Sequence, residues 1–211
     1  MSFVMLCLWT IGYASASEAS KVLPREIAGY RLGTNVSAYG NRIGVDSVYT
    51  MRLRPYLQEA IAHVPEGFDS GYVVYGTCEA PGTIVRIKVK YENDSRTFFD
   101  SLLEEFRKQY GAPSQYVGDP FQAYVAWKWT FDASKDEVIT MILSHYDGDD
   151  EEHTQGNALK LTLKSSMDRE RRCYEARQEG ERVRERREGR KTRPLELPKG
   201  VEAWRRYVPS P

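Results

Sequence analysis

The amino-acid sequence predicts an α+β fold: an antiparallel sheet of about five to seven strands with one amphipathic helix packed on a face, followed by a long charged C-terminal helix or tail. Three observations carry that expectation. Apolar and polar residues alternate with period two in several runs, one intervening run switches to a helical period, and the composition turns abruptly to mixed charge near residue 168. Short turns join the runs, which favours antiparallel neighbours.

Taken in order, Ile27 to Gly33 (IAGYRLG) reads as a strand ending in a turn. Residues Tyr49 to His63 are interrupted by Pro55, which opposes both a continuous helix and a central strand; they divide into a strand near Val48 to Leu53 and another near Tyr56 to His63. Gly71 to Cys78 and Thr83 to Tyr91, separated by Pro81-Gly82, form a hairpin. In its second strand Val85, Ile87, Val89 and Tyr91 share one face, while Arg86, Lys88 and Lys90 share the other, wet face.

After N-cap candidates at Asn93, Asp94 and Ser95, the residues Phe99, Leu102, Leu103, Phe106 and Tyr110 fall on one helical stripe. Gly111 and Pro113 end the helix. In Phe121 to Phe131 the alternation puts Phe121, Trp127, Trp129 and Phe131 on one face, predicting the core strand, with Tyr124 and Lys128 opposite. Glu137 to Tyr146 and Ala158 to Lys164 add two more strands.

Residues 168–191 hold ten basic groups against seven acidic ones, a net of +3, which leaves −3 for the rest of a formally neutral chain. Apolar residues there are too few to bury a face beyond the first turns. The predicted helix therefore leaves the body near Gln178, and 179–211 forms a charged, solvated or disordered tail. The segment 17–178 forms a single domain, within the usual size for one.

The N-terminal segment gives the expected address. Phe3 to Tyr13 is almost continuously apolar and Ala14-Ser15-Ala16 follows, so 1–16 reads as a signal peptide although no Lys or Arg precedes Lys21. The run is too short to span a membrane, so no transmembrane anchor is expected. Export, to the periplasm or the medium, would leave Cys78 and Cys173 as an even pair where disulfides persist. Pairing and two separately buried thiols both remain open on the sequence.

Chemical motifs are mostly missing. The string Gly67-Phe68-Asp69-Ser70-Gly71 displaces the serine from the position a nucleophile elbow needs, and there is no phosphate loop, dinucleotide fingerprint or H-E-x-x-H pattern. His145 shares a strand face with Ile139, Met141 and Leu143, the setting of a structural histidine. The acidic run Asp147 to His153 lacks the turn glycine and the bidentate glutamate of a calcium loop, and reads as a solvated turn. No catalytic, cofactor or metal residue is therefore assigned.

The I-x-G-x-x-L-G segment at Ile27 and the helix ending Tyr110-Gly111-Ala112-Pro113 resemble elements of small exported bacterial α+β modules, including envelope-assembly accessory proteins. These motifs cover about a tenth of the chain, and no function is carried over from them. The expectation is an exported, soluble, non-enzymatic module that binds a protein or envelope component through the open sheet face or the charged tail. Tyr124, Lys128, Arg182 and Arg186 are its candidate contacts. A hydrolase with an unrecognised site is the alternative. Nucleic acid is disfavoured by the interleaved acids of the tail and by export.

Overall fold

In the computed structural model, which describes residues 23–134, 136–148 and 153–187, a β-strand meander, a helix, a second meander and a second helix follow one another. The strands are β1 (Glu26–Ile27), β2 (Tyr30–Arg31), β3 (Tyr49–Thr50), β4 (Leu57–Ile61), β5 (Phe68–Gly76) and β6 (Ile84–Tyr91). Helix α1 (Arg96–Tyr110) precedes β7 (Gln115–Tyr116), β8 (Tyr124–Ser134), β9 (Glu137–Tyr146) and β10 (Gly156–Leu163), and α2 (Lys164–Arg187) follows. Eight strands make one sheet in the order β3-β4-β5-β6-β10-β9-β8-β7, antiparallel throughout. Each meander thus contributes its last strand to the centre, where β6 pairs with β10.

The fold is α+β as expected, with a larger sheet than predicted and two 3-10 segments, Val36–Arg42 and Val45–Ser47, that the sequence pattern does not mark. The strand of this sheet that the sequence pattern misses is the two-residue edge β7, too short to show a period. Ile27 to Gly33 does not make one strand: Ala28 and Gly29 take positive φ (53° and 77°) and fold the segment into the small β1–β2 hairpin. The span Val48 to Leu53 shrinks to β3, because Met51 to Arg54 turn ahead of Pro55. Phe121 is 93% exposed rather than core. Asp119 captures the backbone N–H groups of Phe121 and Tyr124 with its carboxylate, and Gln122 adopts φ 61°, so the strand starts only at Tyr124.

One face of the sheet carries the main core. Val73, Ile87, Val89, Trp129, Ile139, Met141, Leu143, Leu159 and Leu161 are buried there, with Phe99 and Leu103 of α1 against them. The Ser95 hydroxyl caps α1 by accepting from Phe98 N–H (3.3 Å), and Gly111 closes it at φ 81°. Trp129 Nε1 donates to the Gly111 carbonyl (2.9 Å) and so ties the helix end to β8. Trp127 shares the face but is only half-buried, at the rim, with the Tyr116 ring and the Arg107 guanidinium over it.

Helix α2 begins directly where β10 ends. Its Met167 joins Leu57, Val74 and Val85 in a small second cluster on the opposite face. One turn on, Glu170 is 1% exposed and accepts four backbone N–H bonds, from Thr77, Cys78 and Glu79 (3.1, 2.7 and 3.1 Å to Oε2) and from Ala80 (2.7 Å to Oε1). Gly76 permits this approach, since a Cβ there would fall 2.2 Å from the carboxylate. Cys173 forms a disulfide with Cys78, closing a sequence separation of 95 residues, and Arg177 donates to the Cys78 carbonyl (3.1 Å). Beyond Arg177 the helix is largely solvated through Arg186. The proposed signal segment and residues 188–211 lie outside the described residues.

Candidate functional site on the open sheet face

The face opposite α1 is built by alternation along β4, β6, β8, β9 and β10, broken once in β6: a register shift opposite Val74 and Tyr75 turns Val85 onto this face beside Arg86, away from Ile87 and Val89 with which the sequence pattern groups it. Pairing sets Lys88 against Tyr72 on one side and Lys160 on the other; Lys160 in turn faces Ile142, and Ile142 faces Lys128. In the next row Arg86 lies between Val74 and Thr162, and its Nε donates to the Thr162 hydroxyl at 3.2 Å. Like charges directly opposed on a sheet destabilise it. Here two central strands place Lys88 directly against Lys160, with Arg86 one row away.

None of the three is a fully solvated surface cation; all are half-buried. Among the described residues no carboxylate comes within ion-pair distance of them, Glu59 being the acid that influences Arg86 and Lys88 from farther off. Burial, with the positive charges of Arg86, Lys88 and Arg54, holds the Lys160 ammonium down at about 8. Burial and then Arg54 lower Arg86 to about 10, and burial lowers Lys88 despite Glu59.

These side chains line a trough of about 390 Å³ together with Glu59, Tyr124, Ile142, Ser144, His153, Thr154 and Ala158. At its far end the Tyr124 ring lies 4.1 Å, centroid to centroid, from His153, which also meets Tyr146 at 5.1 Å. A second depression of about 450 Å³ continues toward α2, lined by Arg54, Arg86, Lys128, Lys160, Lys164 and Arg171 among others. Asp168 pairs with Lys164 there (2.6 Å) and lies 4.0 Å from Arg171. Among the described residues that line the two depressions, seven are cations and two are carboxylates.

Of the residues singled out from sequence, Tyr124 and Lys128 sit on this face, Tyr124 at the trough wall and Lys128 in the second depression. Arg182 and Arg186 do not join them. They lie on the solvated end of α2, where Arg182 is 3.9 Å from Glu179. Lys160 was not singled out, although the alternation of Leu159, Leu161 and Leu163 places it on the polar face. Glu170 looked like one more charge in a solvated run, and its burial follows from a loop that no sequence period announces.

The histidines are apart from one another. His63 is exposed at the end of β4. His145 is buried beneath α1 beside Phe99; its Nδ1 lies 2.7 Å from Asn157 Oδ1 and its Nε2 3.0 Å from an oxygen of the exposed Asp147. Asn157 spends both amide hydrogens on the carbonyls of Asn93 and Ser95 (2.8 and 2.9 Å), so its oxygen accepts and His145 Nδ1 donates. This chain fastens β9 and β10 to the start of α1. The acidic run continues through 149–152, which lie outside the described residues; among those described no three potential ligands gather for a metal.

No protein-family model, curated protein or solved structure matches the chain. No helix among the described residues is long and apolar enough to cross a membrane.

Proposed function

We propose that the protein is an exported, soluble, non-enzymatic module that holds an acidic envelope or extracellular partner on the open face of its sheet. The observation that carries this reading is the opposition of Lys88 and Lys160 on the central strands beside Arg86, half-buried and, among the described residues, without an ion-paired carboxylate. A fold gains nothing from such a cluster, and an anionic partner relieves its repulsion. Export draws support from the apolar run ahead of Ala14-Ser15-Ala16 and from the Cys78–Cys173 disulfide, a bond that persists in oxidising compartments.

The test is calorimetric binding of poly-L-glutamate, a generic acidic chain, at low and moderate salt. Reversal of the face charges in Lys88→Glu/Lys160→Glu should abolish binding, whereas the equal reversal Arg182→Glu/Arg186→Glu on the helix should leave most of it. Equal loss in both variants would move the contact to the tail. Absence of binding by the wild type would end the acidic-partner reading.

A further inference from the structure

We propose that the 390 Å³ trough is a binding site for an anionic saccharide unit, a pyranose bearing a carboxylate or phosphate. This inference rests on the acidic-partner reading and names the chemistry of that partner. The trough has two unlike ends. Arg86, Lys88 and Lys160 form a cationic end suited to one compact oxyanion. The other end is aromatic, the Tyr124 and His153 rings 4.1 Å apart at a 41° tilt.

The rest of the lining combines the aliphatic Ile142 and Ala158 with two hydroxyls, that of Thr154 and that of Ser144, which donates to the Ala158 carbonyl (3.4 Å). Its volume lies within the range of small-molecule sites, about 300–1,000 Å³. An inorganic anion would engage only the cationic end. A fatty acid would require apolar walls in place of Ser144, Thr154 and Glu59. A sugar acid matches each part: its charged group meets the cations, a C–H face lies against Tyr124, and its hydroxyls exchange hydrogen bonds with Thr154. Glu59 suits a hydroxyl-bearing ligand for the same reason. It accepts from the Tyr49 hydroxyl and lines the trough as an acceptor, a group that repels a bare anion and receives a polyol.

The experiment is calorimetric titration of the full chain with D-glucuronate, D-glucose and acetate at one ionic strength, near pH 7. Glucuronate should bind at least tenfold more tightly than either acetate or glucose. Lys88→Met/Lys160→Met should weaken glucuronate at least tenfold, whereas Tyr124→Ala should weaken it several-fold and leave acetate unchanged. Saturation-transfer NMR on the wild type gives a second readout, with the ring C–H protons of the sugar receiving magnetisation from aromatic side chains. An oligouronate extends the series: affinity that climbs with chain length supports the site and identifies a polysaccharide as the source, and equal affinity supports it with a free monosaccharide. Glucuronate binding no better than acetate, with poly-L-glutamate still held through Lys88 and Lys160, overturns the saccharide assignment and leaves the acidic-partner reading standing. Failure of both probes overturns both.

Discussion

Replacement of Lys160 by methionine should stabilise the protein near neutral pH, an unusual outcome for removing a charge from a half-polar surface. The ammonium is held at about 8 against its ordinary 10.5, first by burial and then by Arg86, Lys88 and Arg54. Below pH 8 both the folded and unfolded chains carry the proton, and the folded chain bears the full cost of the charge. That displacement corresponds to about 3 kcal/mol; the side chain is only half-buried, and solvent screening reduces the expected gain to about 1–2 kcal/mol. Between pH 8 and 10.5 the folded Lys160 loses its proton while the unfolded one keeps it, so wild-type stability rises with pH relative to the variant. Urea unfolding in chloride buffers from pH 6.5 to 10.5 reads the difference directly. Lys160→Met should lead by its full margin at pH 6.5 and lose that margin by pH 10.5. A variant less stable than wild type at pH 6.5, or a difference that ignores pH, would refute the argument that this lysine is held charged against the fold.

Three further outcomes follow from the packing. Glu170→Gln should cost at least about 3 kcal/mol, because a donating NH2 would replace either the oxygen that accepts from Ala80 or the one that accepts from Thr77, Cys78 and Glu79, setting donor against donor; urea unfolding checks it, and loss of less than 1 kcal/mol would show that the 77–80 loop finds other partners. Trp129→Ala should cost about 3–5 kcal/mol, and Trp127→Ala, half-exposed at the rim, about 1–2 kcal/mol; equal costs would contradict the burial difference between them. Removal of residues 182–211 should leave Tm almost unchanged, since beyond Arg177, which donates to the Cys78 carbonyl, the described part of α2 is largely solvated; a large fall in Tm would show that the deleted segment contributes to the core.

The parts of this fold legible in the sequence are those with a period. The stripe from Phe99 to Tyr110 marked α1, and the alternation in β6, β8, β9 and β10 marked both faces of the sheet, including the polar side that bears Arg86, Lys88 and Lys128, with Val85 the exception because a register shift turns it to that side. The strand of Phe121 began too early because Asp119 terminates the preceding turn through its side chain, and a local hydrogen-bond competitor leaves no trace in hydrophobic pattern. The site itself was only half legible. Alternation put Lys88 and Lys160 on polar faces of their own strands, but their opposition depends on β10 returning across the chain to pair with β6, a non-local register. Glu170 illustrates the same limit: surrounded by arginines in sequence, it is buried because the Thr77–Ala80 loop turns its amides toward one turn of α2.

If the open face carries a cation cluster awaiting an anion, Lys160 itself must report it on titration. The Cε resonance of Lys160, assigned by its loss in Lys160→Met, can be followed against pH in the free protein and with saturating poly-L-glutamate. The midpoint should lie near 8 in the free protein and rise clearly when the acidic chain is bound. A free midpoint near the ordinary lysine value of about 10.4, or one that stays put on saturation, would contradict it.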